Sequence, residues 1–204
     1  MNRFQAQRIM DAFVLCVCPA VQTFLVCGSI RRQAPTVNDG ELVVIPKFGP
    51  PANRLFDNGE QVSLIEARVE RLVAEGYCRF DTKTPRNGSR YKRLVKDGLA
   101  IDLFIVLPPA EFGVITALRT GPAHFSRQLV TPREAGGFLP LDCRIHDGQL
   151  LRRGQLVPTP SERELFEALG MPWIDPENRG TYAPFSKGAR PAAARPAFGR
   201  GVFH

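Results

Sequence analysis

Two carboxylates separated by one residue lead into an apolar segment near the start of the chain. Asp39 and Glu41 precede residues 42–45, an unbroken apolar run of the kind that forms a buried strand. Because side chains alternate along a strand, this spacing places both carboxylates on one face. Two adjacent acids repel each other, and divalent cations commonly neutralise such pairs. The pattern therefore predicts a metal-binding pair of acids.

A glycine, a serine and two arginines lie just upstream of these acids. Gly28 has no Cβ, so the backbone N–H groups around Gly28 and Ser29 can approach phosphate oxygens closely. Arg31 and Arg32 add forked donors with a fixed positive charge, which suit phosphate. A phosphate-binding segment beside a metal-binding pair favours chemistry on a nucleoside triphosphate.

A third acid lies inside a predicted apolar strand over residues 99–107. Asp102 would project from one face of this strand while its apolar neighbours enter the core. A carboxylate in such a strand must be neutralised. A metal ion would do this, and we favour that interpretation. The alternative is a salt bridge to a basic residue of the adjacent predicted hairpin strand, for which the candidates are Arg90, Lys92 and Arg93.

These residues fall on or beside helices and strands that periodicity predicts. Helices are predicted over residues 2–17, 64–75, 111–118, 124–129 and 161–169. Strands are predicted over residues 24–27, 42–45, 77–80, 91–95 and 99–107, with a further hairpin formed by residues 141–145 and 149–152. Capping boxes are predicted at two helix starts, Ser63 with Glu66 and Ser161 with Glu164. Turn pairs are expected at residues 87–88, 97–98 and 147–148, and a Pro/Gly-rich loop over residues 47–59.

Residues 26–46 resemble the signature of the nucleotidyltransferase superfamily, in which Gly-Ser precedes an Asp-x-Asp or Asp-x-Glu pair. More narrowly, the segment is similar to the palm of the family X DNA polymerases, the polymerase beta type, which carry Gly-Ser-x-Arg-Arg before the paired acids. Three later segments resemble the same family in the same order. They are the third-acid strand at residues 100–106, the helix and turn at residues 112–121, and the C-terminal thumb segment at residues 157–179.

The resemblance implies an α+β fold. A nucleotidyltransferase palm, with a mixed β-sheet and helices on one face, would be followed by a small α/β thumb. We expect the palm at residues 1–107, the thumb at residues 108–185 and a basic disordered tail at residues 186–204. The family's lyase and helix-hairpin-helix domains are expected to be missing, because the segment ahead of Gly28 has no room for them.

The resemblance also implies a two-metal reaction. Asp39, Glu41 and Asp102 would be the catalytic residues and would hold two Mg²⁺ ions, with Mn²⁺ as the alternative metal. One ion would lower the pKa of a 3′-hydroxyl and orient it at the α-phosphate. The other would bind the triphosphate and stabilise the departing pyrophosphate.

The nucleotide-binding residues implied by the family are Gly28, Ser29, Arg32, Thr120 and Gly121. Weaker candidates are Arg3 and Arg31 for phosphate, and Ser126 and Arg127 for the base and template.

Two features depart from the family pattern. Gly40 stands between the paired acids, where the family has an apolar residue. Leu118-Arg119 replaces a Tyr-Phe pair in a turn that helps the family to distinguish deoxyribose from ribose.

Composition agrees with a nucleic-acid partner. The 204 residues carry a formal net charge of +7, which favours a nucleic-acid partner over the alternative of simple solubility. The family resemblance implies that this partner is a DNA primer–template, bound together with a dNTP or NTP. Residues 12–21 are apolar but too short, and too interrupted by Pro19, to span a membrane. The cysteines are odd in number and lack zinc-finger spacing, which predicts reduced thiols in a cytoplasmic monomer: Cys16, Cys18, Cys27, Cys78 and Cys143.

Three functions are consistent with these observations. The first is a minimal family X-like DNA polymerase, acting in gap filling or repair. The second is a non-polymerase nucleotidyltransferase that modifies RNA, a protein or a small molecule. The third is a catalytically silent nucleic-acid-binding module. The thumb resemblance and the positive charge favour the polymerase, and the retained acids argue against the silent module.

Overall fold

The computed structural model describes residues 1–50 and 61–182. The α-helices in this part of the chain are α1 (Arg3–Val17), α2 (Gly28–Arg31), α3 (Leu64–Ala74), α4 (Phe112–Thr120), α5 (Ala123–Val130) and α6 (Glu162–Ala168). The strands are β1 (Val21–Cys27), β2 (Asp39–Pro46), β3 (Phe48–Gly49), β4 (Val62–Ser63), β5 (Arg79–Phe80), β6 (Tyr91–Lys96), β7 (Leu99–Ile105), β8 (Cys143–His146), β9 (Gln149–Arg152) and β10 (Gln155–Val157). The predicted tail at residues 186–204, and most of the loop predicted over residues 47–59, lie outside the described residues.

A five-stranded mixed sheet forms the centre of the N-terminal part, with the strand order β1-β2-β7-β6-β5. β2 and β7 pair in parallel, whereas the other neighbouring strands are antiparallel. The two parallel strands occupy the middle of the sheet and carry its most continuous apolar runs, as buried parallel strands do. The mixed sheet with helices confirms the predicted α+β class.

Helices α1 and α3 cover one face of this sheet. Their buried residues recur at helical spacing and pack against alternate residues of β2 and β7. Fully buried members of this core include Met10, Phe13, Leu42, Val69 and Ile101. Alternation along the strands therefore leaves the other face of β2 and β7 to the predicted acids.

That second face is partly covered by α4. Cys27, Val43 and Phe104 form a small cluster there, and Phe112 and Ile115 from α4 pack against it. Helices were predicted on one face of the sheet, but α4 also lies on the opposite face. The first helix after the sheet returns across the acid-bearing face and encloses one side of the candidate site.

A second hydrophobic core lies in the C-terminal part of the described residues, with buried members from Val114 to Ile174. It is built from α4, α5, α6 and a three-stranded sheet with the order β10-β9-β8. The predicted hairpin at Asp147-Gly148 is confirmed, since β8 pairs with β9. The adjoining hairpin of β9 and β10 was not predicted, and it turns at Arg153-Gly154, where both φ angles are positive.

The N-terminal apolar run belongs to α1 and the turn that follows it. The helix begins with the Asn2 side chain accepting from the Gln5 backbone N–H at 2.9 Å, and Pro19 lies in the 3₁₀ turn after its end. No helix in residues 1–50 or 61–182 is long and apolar enough to cross a lipid bilayer. The five cysteines all lie in the described residues, and each is free, as predicted.

Candidate active site

The three predicted acids lie on one face of two adjacent strands. Glu41 of β2 and Asp102 of β7 are register partners in the parallel pair. Asp39 precedes Glu41 by two residues on the same strand and so shares its face. Val43 and Phe104, the next residues on that face, meet in the small apolar cluster. The structure therefore brings the three acids into one row. Alternation predicted the shared face of Asp39 and Glu41, and the family resemblance implied that Asp102 would join them.

An arginine from the neighbouring strand β6 enters this row. Arg93 is the register partner of Asp102, and its Nη1 lies 2.6 Å from Asp102 Oδ1 and 4.0 Å from Asp39 Oδ2. The Tyr91 hydroxyl also donates to Asp102 Oδ1, at 2.8 Å. The salt bridge left open as an alternative from the sequence is thus present, and Arg93 is the residue that makes it.

Glu41 is the least neutralised of the three acids. Within residues 1–50 and 61–182 its carboxylate makes no hydrogen bond or ion pair. Burial, and then the negative charge of Asp39, raise the pKa of Glu41 to about 7, and the charge of Arg119 only partly opposes this. Burial and the charge of Asp102 likewise raise the pKa of Asp39. Such a pair is stabilised by a cation.

The three acids differ in how well their carboxylates suit a divalent ion. Asp39 and Glu41 suit a hard cation, because both are carboxylates and both lack full compensation of their charge. Asp102 shares one oxygen with Arg93 and Tyr91. Among the described residues no three His, Cys, Asp or Glu side chains are already arranged as a metal site. The assignment of the three acids as metal ligands stays a prediction.

The turn after β1 places Gly28 against Glu41. Gly28 has a φ of +65°, which favours glycine, and a Cβ at this position would collide with the Glu41 carboxylate. The sequence predicted that phosphate would approach Gly28 closely, whereas in the structure the Glu41 carboxylate does so. Ser29 follows, and its buried hydroxyl has no hydrogen-bond partner among the described residues. An unpartnered buried hydroxyl costs about 1–3 kcal/mol, so this group is suited to receive a ligand.

The two arginines of α2 reach the end of α4. Arg32 Nη1 donates to the Thr120 carbonyl at 2.7 Å, and Arg31 Nη1 donates to the Thr120 hydroxyl at 2.6 Å. Arg31 Nη2 also pairs with Glu162 at 2.5 Å. The structure therefore joins the predicted residues Arg32 and Thr120 directly. Arg31, a weaker candidate for phosphate contact, links α2 to α4 and α6.

Two comparisons relate this chain to known proteins. Residues 117–180 match the family described as DNA polymerase beta thumb. The chain is also 28% identical over 171 residues to DNA polymerase lambda of Rattus norvegicus. The chain is related to the family X DNA polymerases. The matched region covers 75% of this chain but only 28% of that relative, so the chain spans little more than a quarter of the relative's length.

The region that matches the family X thumb contains a buried ionic network that the sequence analysis did not predict. Glu162 Oε1 lies 2.7 Å from Arg179 Nη1, and both side chains are almost completely buried. The Arg179 guanidinium lies among the rings of Phe125, Phe166 and Trp173, and its Nε donates to the Ile174 carbonyl. The only sequence signal was the match of these residues to the family's thumb segment.

Arg119, from the Leu118-Arg119 pair that departs from the pattern of the resembled family, lines the same cavity as Asp102. The Arg119 guanidinium lies 3.9 Å from the centroid of the Phe104 ring, which in turn stacks on Tyr91 at 4.9 Å. These residues line a cavity of about 370 Å³ that reaches Asp102. The cavity is within the size range of small-molecule sites. This departure therefore changes the charge of the site as well as its shape.

The other predicted nucleotide- and template-binding residues lie near the end of α4, on α5 and beside the loop after α2. A Cβ on Gly121 would approach the Phe125 ring to 2.6 Å, so glycine allows α4 and α5 to meet closely. The Ser126 hydroxyl donates to the Leu118 carbonyl at 2.6 Å and so closes the end of α4. Arg127 is exposed. Arg3 Nη1 donates to the Gln33 side chain at 3.0 Å, which holds it beside the loop after α2.

Proposed function

We propose that this chain is a minimal family X-like DNA polymerase. It would transfer a nucleotide from a dNTP or NTP to a 3′-hydroxyl by two-metal catalysis, in DNA gap filling or repair. One observation carries the proposal: Asp39, Glu41 and Asp102 share one face of adjacent parallel strands, directly beside the Gly28 turn. Relatedness to family X polymerases supports the choice of reaction.

The three acids would hold Mg²⁺ or Mn²⁺. When bound, the two ions would lower the pKa of the attacking 3′-hydroxyl and stabilise charge on the departing pyrophosphate. Asp39 and Glu41 would act as cation ligands because their charge is poorly compensated within the protein. Asp102 would contribute an oxygen while Tyr91 continues to orient its carboxylate through the 2.8 Å hydrogen bond.

The triphosphate would lie along the start of α2. Glu41 fills the space beside the Gly28 Cα, so phosphate would be bound by backbone N–H groups at the start of α2 and by the Ser29 hydroxyl, which lacks a partner among the residues described. Arg32 would supply the positive charge, held in place by its bond to the Thr120 carbonyl. Thr120 would thus act by positioning the arginines, and Gly121 by allowing the turn beside it to close against α5.

The two hydrophobic cores would correspond to two parts of the protein with different roles. A palm at residues 1–107 would carry the acids, and a thumb at residues 108–185 would bind DNA and the nucleotide. The two hydrophobic clusters around the large sheet and around α4–α6 support this boundary. The net charge of +7 supports a DNA primer–template as the partner. A cytoplasmic, monomeric protein remains our expectation.

Primer extension tests the proposal. We would compare single-stranded, nicked and gapped DNA with dNTPs or NTPs, in Mg²⁺ or Mn²⁺. Nucleotide addition should depend on the metal and should fall by more than about 10²-fold in Asp102→Asn, since a metal-binding carboxylate is lost. Asp97→Asn is the matched control, because Asp97 lies in an exposed hairpin turn of the same sheet. A parent protein as inactive as Asp102→Asn on every substrate would overturn the proposal.

One observation favours a second candidate, a catalytically silent nucleic-acid-binding module. Arg93 occupies one of the two carboxylate oxygens of Asp102. In a silent module this bridge would be permanent. DNA binding without nucleotide addition, and without any detectable Mn²⁺ binding, would favour this candidate over the polymerase.

A further inference from the structure

Arg93 contacts three acids that come from three different strands or their ends. Its Nη1 lies 2.6 Å from Asp102 Oδ1 and 4.0 Å from Asp39 Oδ2. Its Nε lies 3.1 Å from Asp81 Oδ2. Asp81 follows directly after β5, at the edge of the sheet, and was not a candidate from the sequence. Arg93 thus stands between the acid row and an acid outside it.

The two sets of contacts use different parts of the guanidinium. Nη1 serves Asp102 and Asp39, whereas Nε serves Asp81. Asp81 is itself held in place. Its backbone N–H donates to the Arg93 carbonyl at 3.0 Å, and its carboxylate accepts from the Lys83 backbone N–H at 2.9 Å. Loss of the Nη1 contacts would therefore leave Arg93 anchored at Asp81.

A guanidinium and a divalent ion cannot share Asp102 Oδ1 without strong repulsion. Two cations a few ångströms apart repel each other, and the partly buried position of Arg93 reduces screening by water. Binding of a divalent ion at Asp102 and the contact of Arg93 with Asp102 therefore oppose each other. The position of Arg93 is therefore coupled to the occupancy of the acid row.

We propose that Arg93 is an internal cation that occupies the acid row when no divalent ion is bound, and that Asp81 retains Arg93 when an ion displaces it. Arg93 and Asp81 are then positioning residues, which act through Asp102. This inference rests on the proposed function, because it requires the three acids to take a metal ion. It explains how a row of acids stays folded without metal and still accepts one.

Mn²⁺ binding in the absence of nucleotide and DNA tests this directly. Free Mn²⁺ would be measured by electron paramagnetic resonance during titration of the full chain. Arg93→Gln should bind Mn²⁺ more tightly than the parent, by about tenfold, because the competing cation is gone. Arg90→Gln is the matched control. Arg90 lines the same cavity as Asp102 but donates to the Leu107 and Pro108 carbonyls, so its loss should change Mn²⁺ affinity by less than about twofold.

Asp81→Asn separates competition from a general effect of charge. It removes one negative charge outside the row and the second anchor of Arg93. We expect weaker Mn²⁺ binding in Asp81→Asn, by about fivefold, and binding as tight as in Arg93→Gln in the double variant, because Asp81 acts only through Arg93. Additive effects of the two substitutions would show a general effect of charge and would overturn the inference. Thermal unfolding of each variant would establish that the compared proteins are folded. If Arg93→Gln proves unfolded, Arg93→Lys replaces it and should also bind Mn²⁺ more tightly than the parent, by less than about tenfold, because lysine keeps the charge but cannot bridge Asp81 and Asp102 with a fork. Parent-like binding in Arg93→Lys would then overturn the inference.

The outcomes distinguish this inference from the proposed function. Unchanged or weaker Mn²⁺ binding in Arg93→Gln, in a parent that adds nucleotides, overturns the inference alone. Equal gains in Mn²⁺ affinity in Arg93→Gln and Arg90→Gln also overturn it, since a general field would then be responsible. A parent that neither binds Mn²⁺ nor adds nucleotides overturns both.

Discussion

Arg31 and Glu162 form a 2.5 Å ion pair that joins the turn after the first strand to the first residue of α6. Glu162 also binds the fully buried Arg179 at 2.7 Å, and Arg31 also binds the Thr120 hydroxyl. One carboxylate therefore neutralises two arginines from opposite ends of the chain. This contact fixes the position of α2, and with it Ser29 and Arg32, relative to the region that matches the thumb family.

Removing the charge of Glu162 should destabilise the protein strongly. Glu162→Gln would leave Arg179 buried among aromatic rings without its counter-ion, which costs about 3–5 kcal/mol of unfolding free energy. Urea denaturation measures this loss. Glu167→Gln, an exposed position on the same helix, is the control and should change stability by less than about 0.5 kcal/mol. Similar small effects of both substitutions would contradict the structural role of Glu162.

A methyl group at Gly28 should damage the site beyond its cost to the backbone. Gly28→Ala would meet both a φ of +65° and the Glu41 carboxylate. Gly76→Ala is a matched control, because Gly76 has a φ of +72° but nothing lies near its missing Cβ. We expect Gly76→Ala to cost about 1 kcal/mol and Gly28→Ala about 2 kcal/mol or more in thermal or urea unfolding. Only Gly28→Ala should also weaken Mn²⁺ binding, and equal effects on both measurements would count against this account.

Glu41 should make the metal-free protein less stable as the pH rises. Its pKa is raised from 4.5 to about 7, because burial and the charge of Asp39 disfavour the carboxylate. The folded state then holds a proton that the unfolded state has released. Stability that is fully present below pH 4.5 is lost as the pH rises through about 7, up to about 3 kcal/mol.

Urea unfolding in EDTA between pH 5 and about 8.5 measures this dependence. Glu41→Gln should flatten most of it, because the amide does not titrate. Adding Mn²⁺ to the parent at the alkaline end should restore stability, since binding to the folded state alone shifts the equilibrium. A variant with the same slope as the parent would show that other groups cause the dependence.

Arg119 should influence the acids through its charge. It lies over the Phe104 ring, and its charge opposes the rise in the pKa of Glu41. Arg119→Gln should therefore shift the pH at which Mn²⁺ binding is half-maximal to a higher value, by about half a unit. Arg163→Gln is the control. Arg163 stacks on Trp173, and its charge is not among the causes of the raised pKa of Glu41. A shift of equal size in both variants would contradict a local effect.

Local spacing accounts for most of the helices and strands. The apolar runs at β2 and β7 and the periodic residues of α1 and α3 were predicted to within a few residues, because burial of a continuous face requires those spacings. Side-chain capping was less predictable. Ser161 accepts from the Arg163 backbone N–H as expected, but the Ser63 hydroxyl makes no cap and has no partner among the described residues. The Arg153-Gly154 turn was missed because arginine seldom adopts a positive φ.

The sequence by itself determined that Asp39 and Glu41 share a face, and that Asp102 lies in an apolar strand, because alternation along a strand is a local property. Only the tertiary structure decided which cations meet these acids. The register of β6 against β7 sets Arg93 opposite Asp102, and the return of α4 and α6 brings Arg119 and Glu162 to the site. Register and packing depend on the whole hydrophobic pattern and on loops between the strands, so no local spacing encodes these contacts.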